Sequence, residues 1–152
     1  MEPKQFVLLV EDSYNDELLA RRAFKKCQMA DNLTVVRDGA EALDFLFGAG
    51  AHASRDWRQL PAVVLLDLKL PKLSGLEVLR RARADERTRT LPIIVLSSSD
   101  EENDKSESER LGANGYLRKP VEFKEFVETV RQLSLCWLQA DGTLKNKQKN
   151  PP

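Results

Sequence analysis

Short apolar runs and helical stripes alternate along this chain, and the apolar runs stop at residues that carry chemistry. Residues 6–10 end at Glu11-Asp12, 63–66 at Asp67, 93–96 at Ser97-Ser98 and 115–118 at Lys119-Pro120. A short, β-branched, wholly apolar run suits a strand buried on both faces. Between these runs the period changes to that of a helix. Leu19, Ala23 and Cys27 stripe a helix over 16–28. A second strand over 33–36 precedes a helix over 39–47, with Leu43, Leu46 and Phe47 on one face. Leu76, Leu79 and Ala82 form the inner side of a helix over 75–83. Residues 123–138 carry Phe123, Phe126, Val127, Val130, Leu133 and Trp137 at helical spacing. Residues 100–111 read as a helix too, almost entirely polar apart from Leu111.

Strand–helix units in series predict an α/β fold with a parallel sheet and helices on both faces, because the crossovers are short and right-handed. Ligands of such sheets bind beyond the carboxyl ends of the strands, at the point where strand order reverses. The marked residues fall at those ends.

The chain has 152 residues, enough for one domain. With 24 basic and 24 acidic residues its formal charge is zero, which argues against a general binder of nucleic acid or anionic membrane. No apolar stretch approaches the roughly 20 residues that span a bilayer, and residues 1–5 have no signal-peptide layout. A cytoplasmic protein is expected. Cys27 and Cys136 lie far apart, without a CxxC pattern or a histidine partner, and read as small hydrophobes; a lone disulfide between them stays open.

Two segments stand apart. Residues 48–61 form a long loop, either functional or a tolerated surface insertion. Residues 139–152 are polar, with Lys145, Lys147 and Lys149 and a Pro-Pro end, and are expected to be a disordered tail after a domain over 1–138. His52 reads as a surface residue and Trp57 as loop packing.

Adjacent strand ends would bring Glu11, Asp12 and Asp67 together. Like charges at close range demand a cation or a proton between them. Hard oxygen ligands favour Mg²⁺, which takes one or two carboxylates and keeps several waters. Capping of the next loop and helix is the competing explanation for Glu11-Asp12; it does not account for acids at two strand ends with a lysine at a third. Asp67 is the candidate nucleophile, since a carboxylate attacking phosphorus forms an aspartyl phosphate. Phosphoryl transfer then asks for charge neutralisation at the equatorial oxygens. A cation, the Lys119 ammonium and the Ser97 hydroxyl could each take one. Lys119 precedes Pro120, and an X–Pro bond in a tight turn can be cis.

These residues resemble the receiver domain of two-component response regulators. The resemblance runs from Phe6 to about Leu138. It rests on LLVEDS at 8–13, LLDLKLPKLSG at 65–75, LPIIVLSSS at 91–99 and GANGYLRKP at 112–120. It implies a flavodoxin-like (βα)5 three-layer sandwich with a five-stranded parallel sheet in the order 2-1-3-4-5. It implies Asp67 as phosphoacceptor, with Mg²⁺ held by Glu11, Asp12, Asp67 and the Lys69 backbone carbonyl. Lys119, Ser97 and Ser98 would bind the phosphoryl group. Ser97 and Tyr116 would be the switch pair, and Pro71, Gly75 and Pro120 would shape the loops. The resemblance also makes Lys69 and Ser99 candidates for tuning phosphate lifetime, as residues at their positions tend to do in this family. Ser97 stands where threonine is commoner; it keeps the hydroxyl but lacks the methyl that restricts the rotamer.

A narrower resemblance joins the VEDSYND start, the loop at 48–61, the DLKLPK segment and the aromatic end of the last helix. It points to phytochrome-associated single-domain response regulators. It implies a phosphohistidine of a sensor kinase, a bacteriophytochrome, as phosphodonor, and no output domain. The protein would be no enzyme, assisting only its own phosphorylation and autodephosphorylation.

Three rivals are weaker. A phosphatase of the haloacid dehalogenase type needs a general acid two residues after the nucleophile, where this chain has Lys69. A flavodoxin-like cofactor binder would repel its phosphate with Glu11 and Asp12. A pseudo-receiver would lack the required side chains, all of which are present. Apolar residues surround more than one face near Leu135, Trp137 and Leu138, which either cover the rim of the core or form a partner surface; a homodimer through the last helix and the fifth strand is expected. The polar segment 100–111, poorly anchored and next to Ser97, is expected to shift with the Tyr116 strand on phosphorylation.

Overall fold

The apolar run at the start folds as strand β1 (Val7–Val10), buried along its whole length. The computed structural model describes residues 5–98 and 102–136. Ser99, Trp137, Leu138 and the segment 139–152 lie outside them, as do the side chains of Leu135 and Cys136. Strands β2 (Leu33–Val36), β3 (Val63–Asp67), β4 (Ile93–Ser97) and β5 (Gly115–Arg118) join β1 in one parallel sheet of order β2-β1-β3-β4-β5. Helices α1 (Tyr14–Lys26), α2 (Gly39–Phe47), α3 (Gly75–Ala84), α4 (Glu102–Arg110) and α5 (Phe123–Cys136) alternate with the strands. This is the flavodoxin-like arrangement expected.

The side-chain period of two divides each strand between two cores. Val7, Leu9, Val63, Leu65 and Leu96 pack with Ala20, Ala23 and Phe24 of α1 and with Phe126, Val127, Val130 and Leu133 of α5. Leu8, Val10, Val64, Leu66, Ile93 and Val95 pack with α2 and α3. The parity carries to the strand ends. Glu11 and Asp67 continue the α1/α5 face, and so does Lys119, two residues beyond Leu117. Ser97 continues the other face, which Tyr116 shares. Strand pairing thus sorts the marked residues before any of them makes a contact.

Three helices start on side-chain caps. Ser13 accepts the N–H of Asp16, Asp38 that of Glu41 and Ser74 that of Glu77, each satisfying a donor the first turn leaves open. The Ser13 cap starts α1 at Tyr14, two positions earlier than its apolar stripe implies. The buried line of α1 is also turned from that stripe: Ala20, Ala23 and Phe24 are enclosed, while Leu19 and Cys27 pack at its edge. Strands β3 and β4 run one residue further than their apolar letters, because Asp67 pairs with Leu96 and Ser97 with Arg118.

The segment 48–61 is tied down rather than loose. Gly48 closes α2 in the left-handed region at φ 62°. Arg55 donates to the carbonyls of Phe45, Asp56 and Gln59 and lies 3.9 Å over the Phe45 ring. Trp57 and Phe47 sit under the Arg87 guanidinium. His52 corrects the surface reading: it is half-buried, edge-on to Phe45 at 5.2 Å, with Nε2 3.2 Å from Glu41 Oε2. Its contacts come from the preceding helix, which its neighbours in sequence do not reveal.

Candidate functional site

The carboxyl ends of β1 and β3 are neighbours, so their next side chains meet. Glu11 is 1% exposed and Asp67 4%. One carboxylate oxygen from each of Glu11, Asp12 and Asp67 lies within 4.8 Å of the others. Asp12 is the exposed member, at the mouth of the group. Glu11 does some capping work as well: its Oε2 accepts the Ser13 N–H at 3.2 Å. The two readings of that acid are therefore compatible.

Lys119 enters from the turn after β5, whose Lys119-Pro120 bond is cis. Its backbone N–H donates to the Ser97 carbonyl at 2.8 Å, which ties the turn to β4. Its Nζ is 2.8 Å from Glu11 Oε1, 2.9 Å from Asp16 Oδ2 and 3.1 Å from Asp67 Oδ2. Burial of the ammonium opposes its charge, but the hydrogen bonds it donates to Glu11 and Asp16 and the Asp67 charge outweigh it and hold its pKa above the usual lysine value. Burial has the opposite result at Glu11. Desolvation, helped by neighbouring Asp67 and opposed by Lys119, pushes the Glu11 carboxyl up to about 7. One ammonium does not balance this many acids, and a divalent cation would offset most of the remaining charge.

The loop from β3 to α3 is shaped around Asp67. The Lys69 N–H donates to Asp67 Oδ1 at 3.1 Å, so the backbone that carries Lys69 lies beside the carboxylate. Gly75 donates its N–H to the Leu68 carbonyl at 2.9 Å. A Cβ at Gly75 would come within 2.3 Å of the Asp67 carbonyl oxygen, so only glycine permits this approach. Between them the Leu73 N–H bonds the Pro71 carbonyl, and Lys72 adopts φ 69°. Ser97 is fully buried and Ser98 is exposed. Tyr116 is half-buried, with Lys105 Nζ 5.9 Å from its ring centroid. Ser97 and Tyr116 thus continue the same side of the sheet, opposite the one that Glu11 and Asp67 continue.

The structure therefore brings Glu11, Asp12, Asp67 and Lys119 together, with Lys69 and Gly75 beside them. Two charged residues escaped the sequence reading. Asp16 reaches Lys119 from α1. Glu17 is 5% exposed and holds Arg21 at 2.8 Å and Arg37 at 2.8 Å. The four-residue spacing of Glu17 and Arg21 was a legible pairing signal; nothing local marks Asp16. A group of this kind can hold a hard divalent cation and present a carboxylate oxygen to an electrophile under a fixed positive charge.

A parallel α/β sheet with clustered acids, a bridging lysine and a buried hydroxyl along its carboxyl edge defines the class. The chain belongs to the response regulator receiver domain family, whose model matches residues 7–131. It is 38% identical over 135 residues to the probable methanogenesis regulatory protein FilR2 of Methanothrix harundinacea, covering 87% of this chain and 83% of that one. It is 34% identical over 137 residues to response regulator Rcp1 of Synechocystis, covering 90% and 91%. Among solved structures, the bacteriophytochrome response regulator AtBRR is 43% identical with a TM-score of 0.75, covering 92% of this chain and 99% of that one. The protein is thus a receiver-domain response regulator related to the phytochrome response regulators. Rcp1 has a crystal structure in a Mn(2+)-bound form. Among the described residues no helix is long and apolar enough to cross a membrane.

Proposed function

We propose that this protein accepts a phosphoryl group on Asp67 from a phosphohistidine of a sensor kinase of the bacteriophytochrome type. The supporting observation is the position of Asp67 Oδ2, 3.1 Å from the Lys119 ammonium and inside a carboxylate group able to share one cation. Glu11, Asp12 and Asp67 supply hard oxygens at a spacing that fits Mg²⁺, with the Lys69 carbonyl as a further ligand. Bound Mg²⁺ supplies charge neutralisation to the phosphoryl oxygens.

The residues of the chain do the rest. An Asp67 carboxylate oxygen attacks phosphorus, the P–N bond breaks, and its electron pair leaves with the imidazole, which takes a proton from solvent. Lys119 donates to one phosphoryl oxygen and neutralises the charge that the acyl phosphate brings into a buried site. The Ser97 hydroxyl and the Ser98 backbone approach the others. Ser97 moving toward the phosphoryl group vacates space on the face it shares with Tyr116, and Tyr116 turns inward. Pro71, Gly75 and Pro120 hold the loops in shape, while Lys69 and Ser99 are the candidates for tuning the phosphate lifetime. Self-dephosphorylation ends the signal; the protein is a switch and turns over no separate substrate.

The reading extends to a cytoplasmic phosphorelay component with its receiver domain over 1–138 and a homodimer through α5 and β5. Its test is phosphotransfer from a phosphorylated bacteriophytochrome kinase with Mg²⁺. Label should pass to the wild-type chain and not to Asp67→Asn. Transfer to both proteins would place the acceptor elsewhere.

A further inference from the structure

An ammonium has three N–H donors, and the three on Lys119 are matched by Glu11 Oε1, Asp16 Oδ2 and Asp67 Oδ2. Two of these acceptors have other work. Glu11 and Asp67 belong with Asp12 to the group able to share a cation, and Asp67 is the proposed nucleophile. Once a cation and a phosphoryl group enter, their oxygens turn to those partners. Lys119 then gains one phosphoryl oxygen and loses two carboxylates. Asp16 alone has no competing task. It sits on α1 rather than at the sheet edge, and its backbone is fixed by its N–H to the Ser13 cap at 3.3 Å.

The surroundings suit an anchor. Leu9, Leu19, Leu96, Val121 and Phe126 line, together with Lys119, Glu11 and Asp16, a cavity of only about 10 Å³. That is room for about one water, so the lysine stem is confined, and the direction of its head is decided by its acceptors. The Asp16 side chain is 41% exposed while that of Lys119 is 12% exposed, so Asp16 reaches the enclosed ammonium from the solvent side.

We propose that Asp16 is a positioning residue for phosphoryl transfer: it is the acceptor that holds the Lys119 ammonium over Asp67 while Glu11 and Asp67 engage the cation and the phosphoryl group. This rests on the phosphoryl-acceptor reading of Asp67. Asp16 touches no reacting atom; it acts through Lys119.

The test uses the full chain as wild type, Asp16→Ala, Asp16→Asn and Asp67→Asn, with acetyl phosphate and Mg²⁺ as the probe. Loss of one charge-assisted hydrogen bond corresponds to about tenfold in rate. Asp16→Ala should therefore take up phosphoryl about tenfold more slowly, with Asp16→Asn in between because its amide oxygen still accepts. A spectroscopic readout separates positioning from stability. The ¹H–¹⁵N correlation of the held Lys119 ammonium should be visible in the Mg²⁺-saturated wild type, where Glu11 and Asp67 face the cation, and lost in Mg²⁺-saturated Asp16→Ala, with the thermal melt little changed. Wild-type rates and an intact correlation in Asp16→Ala would overturn the inference and leave the acceptor reading standing. A slow Asp16→Ala with an intact correlation and a lowered melt would reduce Asp16 to a structural role and overturn it equally. A folded wild type that takes no phosphoryl group, like Asp67→Asn, would remove the acceptor reading and the inference with it.

Discussion

A Glu11 carboxyl held near 7 makes cation binding depend on pH in a range where ordinary carboxylates are inert. A carboxyl must shed its proton to ligate a metal. The apparent dissociation constant therefore scales as one plus the ratio of protonated to ionised Glu11. With the Glu11 pKa at about 7, that factor is about 1.1 at pH 8 and about 11 at pH 6, a tenfold loss of affinity. An ordinary glutamate, titrating near 4.5, would change the affinity by only a few per cent over the same interval. Lys119, raised above the lysine range, stays charged throughout and adds no slope. The same proton gives a stability term of defined sign. The folded carboxyl lies above its unfolded value, so the contribution is complete below about pH 4.5 and is lost as pH rises through about 7. The metal-free protein therefore loses this term on the alkaline side, where added Mg²⁺ restores stability most. Isothermal titration of Mg²⁺ at pH 6, 7 and 8, in buffers of different ionisation enthalpy, reads both the affinity and the proton released. Glu11→Gln should remove the pH dependence. An affinity that is flat from pH 8 to pH 6 in the wild type would refute the argument from burial.

Other expectations follow from single contacts. Gly75→Ala should destabilise the protein by about 1–3 kcal/mol, because the added Cβ would meet backbone at the Asp67 carbonyl rather than a side chain that can yield; an unchanged thermal melt would contradict the tight turn. Arg83 donates to the carbonyls of Gly112 and Thr88 and to Asn114 Oδ1. Arg83→Ala should therefore loosen the connection between α4 and β5, seen as faster amide exchange around Gly112–Asn114, and unchanged exchange would show the clamp to be redundant. Phosphorylation, or beryllofluoride in its place, should alter hydrogen exchange in α4 and β5 before other elements; indifference there would remove the proposed route from Ser97 to Tyr116. Sedimentation at micromolar concentration should show a dimer, and a monomer with and without a phosphoryl analogue would discard the homodimer.

The sheet was readable because the central strands β1, β3 and β4, buried on both faces, leave apolar runs, and the half-buried edge strands β2 and β5, like α2, fall at the residues their patterns indicate. Strand ends were less legible. Asp67 and Ser97 belong to ladders despite their polarity, since backbone pairing does not register side-chain chemistry. Glu11, Asp12, Asp67 and Lys119 could be grouped because parallel topology places successive strand ends side by side. Asp16 could not, since its approach to Lys119 depends on where α1 begins and how it is turned, both set by the Ser13 cap and by tertiary packing. His52 was misjudged for a related reason. Its partners Glu41 and Phe45 lie on a helix it folds back against, and sequence-neighbour polarity carries no information about that return.

The central claim is that one carboxylate among these acids takes the phosphoryl group. Intact-mass measurement after incubation with acetyl phosphate and Mg²⁺ tests it directly, with peptide mapping after borohydride reduction of the acyl phosphate. The account predicts one added phosphoryl group, mapped to Asp67, dependent on Mg²⁺, and absent from Asp67→Asn. A phosphoryl group mapped to Asp12 or Asp16, or undiminished in Asp67→Asn, would contradict it.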